Sequence, residues 1–292
     1  MDSQSEKTLV VTPAHPAVGH SAQGWMNGFL GMIIFSGSLP ATRVAVLELD
    51  PLFLTAIRAA IAALLALCAL RITRQARPTR ADLPPLLFVA LGVVIGFPLL
   101  TALALQHTTS AHSLVYIGLL PLATAGFGVL RGGERPKPAF WAFSGIGAAL
   151  VGAFALSQGS GGAWQGDALM VGAVLSRRIG GWQVISWALV AALPLTLAAA
   201  WWAAPAAWPV VSGAAWLSLA YVSVFSMWIG FIFWYRGLAQ GGIAAVGQLQ
   251  LLQPFFGLAL AGWLLQETVQ PMMIAVMAGV VVCVFGAKRF SR

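Results

Sequence analysis

Long runs of apolar residues follow one another along this chain, with short polar or basic segments between them. A helix needs about 20 mostly apolar residues to cross the hydrocarbon core of a bilayer. Runs near this length make up most of the 292 residues, and only 8% of the chain is charged. Because a soluble domain carries roughly 25% charged residues, the sequence excludes a soluble enzyme, a disordered chain and an extracellular disulfide scaffold.

Ten of these runs are predicted to be transmembrane helices. They do not alternate as the strands of a membrane β-barrel would, so the predicted fold class is an all-α membrane protein. The runs cover residues 25–45, 52–70, 83–105, 109–130, 139–157, 168–174, 182–203, 212–235, 243–265 and 271–287. Prolines 51, 84, 85, 138 and 271 lie near predicted helix starts, where a missing N–H costs little.

The sixth run is too short to cross a bilayer. Its apolar part, Ala168–Leu175, gives about 12 Å of helix against a hydrocarbon core of about 30 Å. We therefore predict that the sixth helix is incomplete, with roughly ten residues missing between about Ala173 and Ser176.

The basic residues indicate the orientation. If the N-terminus is cytoplasmic and ten helices follow, 14 of the 16 Lys and Arg residues fall in cytoplasmic segments. This asymmetry is the positive-inside pattern, and it predicts cytoplasmic tails at residues 1–24 and 288–292. Since topology accounts for the net charge of +8, we expect no nucleic-acid partner.

The chain repeats its own pattern at an interval of 133 residues. Pro121 and Pro254 are this far apart, and so are Glu134 and Glu267. Because each unit has five helices, an odd number, the second unit must enter the membrane in the opposite sense. Inverted repeats are typical of alternating-access transporters, which hold their substrate near the membrane midplane. The two units are residues 25–157 and 166–287.

The residues around these prolines resemble a known family. The first stretch runs from Thr109-Ser110-Ala111 through Pro121 to Gly133-Glu134-Arg135, and its echo runs from Gly242 through Pro254 to Gln266-Glu267-Thr268. This pattern resembles the EamA type of the drug/metabolite transporter (DMT) superfamily, although the echo lacks the Gly-Glu-Arg sequence. The whole chain further resembles bacterial YddG-type exporters of aromatic amino acids. The resemblance implies two inverted five-helix repeats around a cavity lined by helices 1, 3, 4, 6, 8 and 9.

Pro121 and Pro254 are predicted to kink the fourth and ninth helices, because proline removes a backbone hydrogen bond. The carbonyls freed would be those of Ile117 and Gln250. Such groups are tolerated in a membrane only where protein or a wet cavity satisfies them. Shaping of the helices for packing is the alternative, and the matching positions in both halves favour a transport site.

Polar and aromatic residues on four helices are the candidate substrate ligands. Gln250 and Gln253 share one face of the ninth helix, opposite a lipid face that includes Leu249, and they serve either as interhelical contacts or as ligands. Trp234 is suited to stacking on a ring, or to an interfacial aromatic belt. The candidates are Phe35, Ser38, His112, Tyr116, Ser223, Met227, Trp234, Gln250 and Gln253.

Few charged groups lie inside the predicted spans. Arg58 is the sole full charge there, and it is expected to reach outward or to pair with Glu48 or Asp50. Proton- and sodium-driven carriers usually need an intramembrane carboxylate, which this chain lacks. His112 stands at a helix entrance, where a histidine is usually hydrated. We therefore expect transport without ion coupling.

These features favour a facilitated exporter of hydrophobic or aromatic amino acids and similar small metabolites in the bacterial inner membrane. Other metabolites or drugs are alternative substrates, and a lipid-translocating or structural protein is a further alternative. A membrane enzyme would need a carboxylate, metal or nucleophile constellation near the membrane face, which the sequence does not provide. We expect a monomer surrounded by lipid, with no metal and no cofactor.

Overall fold

The computed structural model describes residues 22–119, 137–157, 182–206, 210–241 and 246–289, and every regular element in these ranges is a helix. The α-helices in chain order are α1 (Ala22–Ser36), α2 (Ser38–Val46), α3 (Pro51–Ile72), α4 (Leu83–Val89), α5 (Phe97–His107), α6 (Ser110–Ile117), α7 (Pro138–Ser157), α8 (Trp182–Trp202), α9 (Gly213–Tyr221), α10 (Gly230–Gly241), α11 (Gln253–Leu264) and α12 (Pro271–Arg289). Other helix types occur at Arg80–Asp82 and Gly247–Leu252, which are 3-10 helices, and at Ala90–Gly96 and Val222–Ile229, which are π-helices.

Several helical stretches are long and apolar enough to cross a membrane. Within the described residues these are Ala22–Val46, Pro51–Ile72, Leu86–His107, Gln183–Trp202 and Gly213–Gln240. Shorter apolar helices cover Pro138–Val151, Leu249–Leu264 and Pro271–Gly286. The predicted class, an all-α membrane protein, agrees with this architecture. Ten spans, an inverted repeat and two cytoplasmic termini stay predictions.

Some of the sequence predictions concern residues outside the described ranges. These are Pro121, Glu134 and the whole sixth run, 168–174. The shortfall of the sixth helix therefore stays a prediction, and an intact mass of 30.6 kDa for the isolated protein would contradict it.

Local signals set the starts of several helices. Pro51 is the first residue of α3, and Asp50 Oδ1 accepts two backbone N–H hydrogen bonds of 2.9 Å from the first turn. Pro138 and Pro271 are likewise the first residues of α7 and α12. A first-turn N–H has no partner inside its helix, so proline loses nothing there and a capping carboxylate satisfies its neighbours. The helix starts predicted at these prolines are confirmed.

Glycines allow α1 to approach α10 closely. A Cβ on Gly31 would lie 2.8 Å from the backbone nitrogen of Trp234, and one on Gly237 would lie 2.5 Å from that of Gly28. Neither separation leaves room for a carbon atom, so the two backbones are in direct contact. Helices in lipid associate through van der Waals packing of this kind, which places Ala22–Val46 and Gly213–Gln240 side by side. We call these two stretches the first and eighth spans, and residues 247–264 the ninth, after their places among the ten runs predicted from the sequence.

Polar contacts tie the same two spans at both ends. Asn27 Nδ2 donates to Gln240 Oε1 at 2.8 Å, near the start of the first span. Just beyond the other end of that span, Glu48 accepts hydrogen bonds of 2.6 Å from the backbone N–H and from the hydroxyl of Ser212. Ser212 immediately precedes α9, so the end of the first span lies beside the start of the eighth. The two spans therefore run antiparallel to each other.

Candidate functional site

Irregular helix segments meet where the first, eighth and ninth spans pack together. The first span is interrupted at Gly37, the eighth contains the π-helix Val222–Ile229, and the ninth contains the 3-10 helix Gly247–Leu252. Helix α1 packs against both of the latter segments. Departures from the α-helix at membrane depth occur where the backbone is buried in protein or lines a cavity, and π segments are frequent at functional sites. We therefore take this junction as the candidate site.

Tyr221 occupies the space beside the interruption in the first span. Its hydroxyl donates to the carbonyl of Ile34 at 2.6 Å. A Cβ on Gly37 would lie 2.5 Å from the tyrosine oxygen, so the residue at the interruption has no room for a side chain. The eighth span thus supplies a donor directly to the backbone of the first.

Polar side chains gather at the same junction. Ser38 Oγ and Ser226 Oγ are 2.7 Å apart, which joins α2 to the π-helix of the eighth span. Gln253 Nε2 donates to the carbonyl of Phe35 at 3.5 Å. The glutamine is buried, and its Oε1 has no hydrogen-bond partner in the described part of the chain. Since a buried acceptor without a partner is costly, this oxygen is suited to receive a donor from a ligand.

Aromatic and sulfur-containing side chains form the apolar side of the junction. The rings of Phe35 and Phe231 pack edge to face, with centroids 4.9 Å apart. Met227 and Trp234 are buried in the same cluster. The burial of Trp234, which is 8% exposed, contradicts the alternative of an interfacial belt, because a belt residue contacts the lipid headgroups. The predicted residues Phe35, Met227 and Trp234 therefore lie together.

Two predicted polar ligands are less available to bind a substrate than expected. Ser223 is fully buried, and its Oγ donates to the carbonyl of Leu219 at 2.6 Å, four residues earlier in the same span. Its hydroxyl hydrogen is thus already used within its own helix. Gln250 lies in the 3-10 helix and is partly exposed.

The ninth span changes helix type just before Pro254. The proline is the second residue of α11 and directly follows the 3-10 helix Gly247–Leu252. The prediction that the Gln250 carbonyl is free is wrong. This carbonyl accepts the backbone N–H of Gln253, which is the bonding pattern of a 3-10 helix. Leu249 is also buried, against the predicted lipid exposure, because α1 covers that side of the span at Gly28.

His112 and Tyr116 lie in another part of the bundle. The His112 ring centroid is 4.9 Å from that of Phe154 and 5.6 Å from that of Tyr116. Both residues are buried, and Tyr116 belongs to a second apolar cluster together with Phe154. The expected hydration of His112 is therefore wrong, because these rings cover it. The structure brings neither residue into the group around Phe35.

Arg58 differs most from its sequence prediction. It neither reaches the surface nor pairs with Glu48 or Asp50, since it is 4% exposed and its Nη2 contacts Met227 Sδ at 3.9 Å. Glu48 binds Ser212 instead, and Asp50 caps α3. Because α3 packs against the π-helix of the eighth span, the guanidinium is held inside the bundle and adds a charge to the candidate site.

Several residues of this region were missing from the predicted set, namely Thr55, Arg58, Tyr221, Ser226 and Phe231. Thr55 is buried, and its Oγ1 has no hydrogen-bond partner among the residues described. The sequence feature that could have identified Arg58 was its depth in the membrane. Arg58 is the eighth residue of α3, about 10 Å from the helix start, so its own span already places it well inside the membrane.

A surface groove of about 660 Å³ lies apart from this junction, between α7 and α12. Its lining is mostly apolar and includes none of the predicted ligands. The lining residues are Phe143, Val281, Val282, Phe285, Gly286 and Arg289. The groove is therefore separate from the candidate site.

Membrane-spanning helices with irregular segments around a buried polar site form the architecture of a membrane transporter. The model of the EamA-like transporter family matches this chain twice, over residues 23–158 and 166–288. The chain belongs to this family, within the DMT superfamily.

The chain is also similar to a named relative and to a protein of known structure. The chain is 62% identical over 284 residues to the "Uncharacterized transporter YdeK" of Bacillus subtilis (strain 168), covering 93% of this chain and 99% of the relative. A protein of known crystal structure is similar in fold, with a TM-score of 0.62 and 20% identity, over 92% of this chain and 97% of the other. The protein is thus a multi-pass membrane transporter.

Proposed function

We propose that the protein exports hydrophobic and aromatic amino acids, and amphipathic metabolites of similar size, across the bacterial inner membrane. The observation that carries this proposal is the junction of irregular helices, where Phe35, Met227 and Trp234 belong to one buried cluster, Gln253 donates to the carbonyl of Phe35, and Ser38 contacts Ser226. The rings and the sulfur suit an apolar body, and the hydroxyl and amide suit its polar end. The resemblance to YddG-type exporters supports the same substrate class.

Transport by alternating access requires two halves that move against each other. We place ten spans in two inverted repeats, residues 25–157 and 166–287, with both termini in the cytoplasm and the protein acting as a monomer. Two observations support the repeat. The family model matches once in each half, and the two π-helices end at Gly96 and Ile229, which are 133 residues apart, the interval found in the sequence.

Transport is proposed to be facilitated and not coupled to an ion gradient. The acids in the described part of the chain are Glu48, Asp50, Asp82 and Glu267, and each lies at a helix end or in a loop and accepts hydrogen bonds there. Liposomes energised by a pH or sodium step alone should equilibrate the substrate without accumulating it. Accumulation would contradict this proposal, and His112 would then be the first residue to examine.

Uptake into proteoliposomes tests the substrate class. Labelled phenylalanine should be taken up faster than threonine or glutamate, and a quaternary amine should not be taken up. Trp234→Ala should slow phenylalanine uptake about tenfold, which corresponds to the loss of about 1.4 kcal/mol of contact. The matched control is Trp263→Ala, because Trp263 is 74% exposed. Uptake of the amine alone, or equal rates for the two variants, would contradict the proposal, and lipid movement without solute flux would favour a lipid-translocating protein.

A further inference from the structure

The guanidinium of Arg58 has no anionic partner among the described residues. Its Nη2 contacts the thioether of Met227, which is a weak acceptor and carries no charge. Its Nε is buried without any hydrogen-bond partner in the same part of the chain. Each of the four described acids is engaged elsewhere, as shown above. A buried charge that lacks a counter-charge is strongly unfavourable, and in a membrane helix it marks a functional site.

A second unsatisfied group lies on the same face of α3. Thr55 precedes Arg58 by three residues, which places the two side chains next to each other along the helix. Thr55 Oγ1 is buried and has no hydrogen-bond partner among the residues described. The Nε of Arg58 and the hydroxyl of Thr55 are therefore two neighbouring donors without an acceptor among the described residues.

This region continues into the junction of irregular helices. Met227, which contacts Arg58, follows Ser226 in the π-helix, and Ser226 Oγ is 2.7 Å from Ser38 Oγ. Three residues before Ser38, the carbonyl of Phe35 accepts the amide of Gln253. The charge, the hydroxyl pair and the Gln253 amide are thus linked through residues that are near neighbours in the same two helical stretches.

We propose that Arg58 binds the carboxylate of the transported molecule. A guanidinium offers a planar pair of N–H donors that matches a carboxylate, and the Thr55 hydroxyl donates to the same group. Gln253 Oε1 then accepts from the amino or hydroxyl group of the substrate, and Phe35 and Met227 contact its apolar part. This inference rests on the proposed function and narrows its substrates to carboxylates.

Two nearly isosteric ligands test the inference without any mutation. 3-Phenylpropionate carries the carboxylate, and 3-phenylpropionamide replaces it by a neutral amide of almost the same shape. In the purified wild-type protein, the acid should raise the thermal unfolding temperature at lower concentration than the amide, by about tenfold to a hundredfold, as expected for a hydrogen bond to a charged group. Equal effects of the two ligands would overturn the inference.

Variants of Arg58 then test whether this residue causes the preference for the acid over the amide. Arg58→Gln should abolish the preference for the acid over the amide, and Arg58→Lys should keep part of it, because lysine retains the charge without the planar fork. The matched control is Arg43→Gln, which removes one positive charge at the end of the first span, where Arg43 binds the carbonyl of Leu105. Arg43→Gln should keep the wild-type preference.

The same variants separate a binding role from a structural one. Because an unpaired buried charge destabilises the fold, Arg58→Gln should leave the unfolding temperature without ligand unchanged or higher. A large loss of stability together with an unchanged preference for the acid would overturn the inference. If Arg58→Gln does not fold, the comparison of the acid and the amide in the wild-type protein still tests whether the site binds a carboxylate.

The inference and the proposed function can fail separately. If the wild type transports phenylalanine but treats the acid and the amide alike, the carboxylate site is wrong and the proposed function stands. If the wild type transports no aromatic amino acid but binds other carboxylates in a manner lost in Arg58→Gln, the proposed substrate class is wrong and the carboxylate site stands.

Discussion

Glu267 caps the N-terminus of α6, although Ser110 lies 157 residues earlier in the chain. Glu267 Oε2 accepts the Ser110 hydroxyl at 2.7 Å and the Ala111 N–H at 2.8 Å, and Oε1 accepts the Ser110 N–H at 3.1 Å. A carboxylate at this end of a helix satisfies donors that the helix leaves open and interacts favourably with its dipole. The two stretches that carry the family resemblance therefore touch each other in the fold.

Glu267→Ala is expected to destabilise the protein by removing this cap. The loss should be about 1–2 kcal/mol of unfolding free energy, the usual cost of deleting a capping group. Thermal unfolding in detergent measures it. Thr268→Ala changes an exposed neighbour and serves as the control, so equal unfolding temperatures for the two variants would show that the cap adds no stability.

The sequence predicted the parts of the fold that depend on local chemistry. The prolines at positions 51, 138 and 271 start helices as expected, because the missing N–H matters only inside a helix. The length and composition of the apolar runs likewise predicted a helical membrane protein. The 3-10 helix before Pro254 was not predicted, since helical periodicity alone does not reveal which carbonyl accepts the hydrogen bond of a given N–H.

The contents of the candidate site depended on contacts between distant segments. Nothing local to Arg58 indicates that the π-helix of the eighth span covers it, and nothing local to Leu249 indicates that Gly28 lies against it. The same limit applies to His112, whose cover includes a ring from α7. The residue types of the site were thus predictable, whereas their grouping required the positions of neighbouring helices.

The contact between α1 and α10 should tolerate no side chain at Gly237. In Gly237→Ala the new methyl group would meet the backbone of Gly28, so the helices must separate, and the expected loss is about 1–3 kcal/mol of unfolding free energy. Gly145 provides the matched control, because a Cβ there has nothing within 4 Å. Gly145→Ala should stabilise its helix by up to about 1 kcal/mol. Unfolding temperatures that fall equally in both variants would contradict this packing argument.

The contact between Glu48 and Ser212 should make stability depend on pH in the acid range. Hydrogen bonds from the Ser212 hydroxyl and then from its backbone N–H hold the pKa of Glu48 below its ordinary value of 4.5. Because the folded-state pKa is the lower one, the contact stabilises the protein above pH 4.5 and the effect is lost as the pH falls through the folded-state pKa.

Ser212→Ala tests this dependence. The variant should unfold at a lower temperature than the wild type at about pH 7, and the difference should shrink as the pH falls through the folded-state pKa of Glu48, where the carboxyl becomes protonated. Part of the difference should persist, because Ser212 Oγ also accepts the Ala215 N–H at 3.2 Å. In a Glu48→Gln background, the change in unfolding temperature caused by Ser212→Ala should no longer vary with pH. If it still varies, the pH dependence comes from a group other than Glu48.

The two glutamines of the ninth span should differ in their effect on transport. Gln253 is buried and its Oε1 has no hydrogen-bond partner among the described residues, whereas Gln250 is partly exposed. Gln253→Leu keeps much of the side-chain volume and removes the unsatisfied acceptor, so the unfolding temperature should stay the same or rise while phenylalanine uptake falls about tenfold. Gln250→Leu should change uptake by no more than about twofold, as for most exposed positions. If Gln253 served mainly to hold the helices together, Gln253→Leu would instead lower the unfolding temperature and leave the apparent substrate affinity of the folded fraction unchanged.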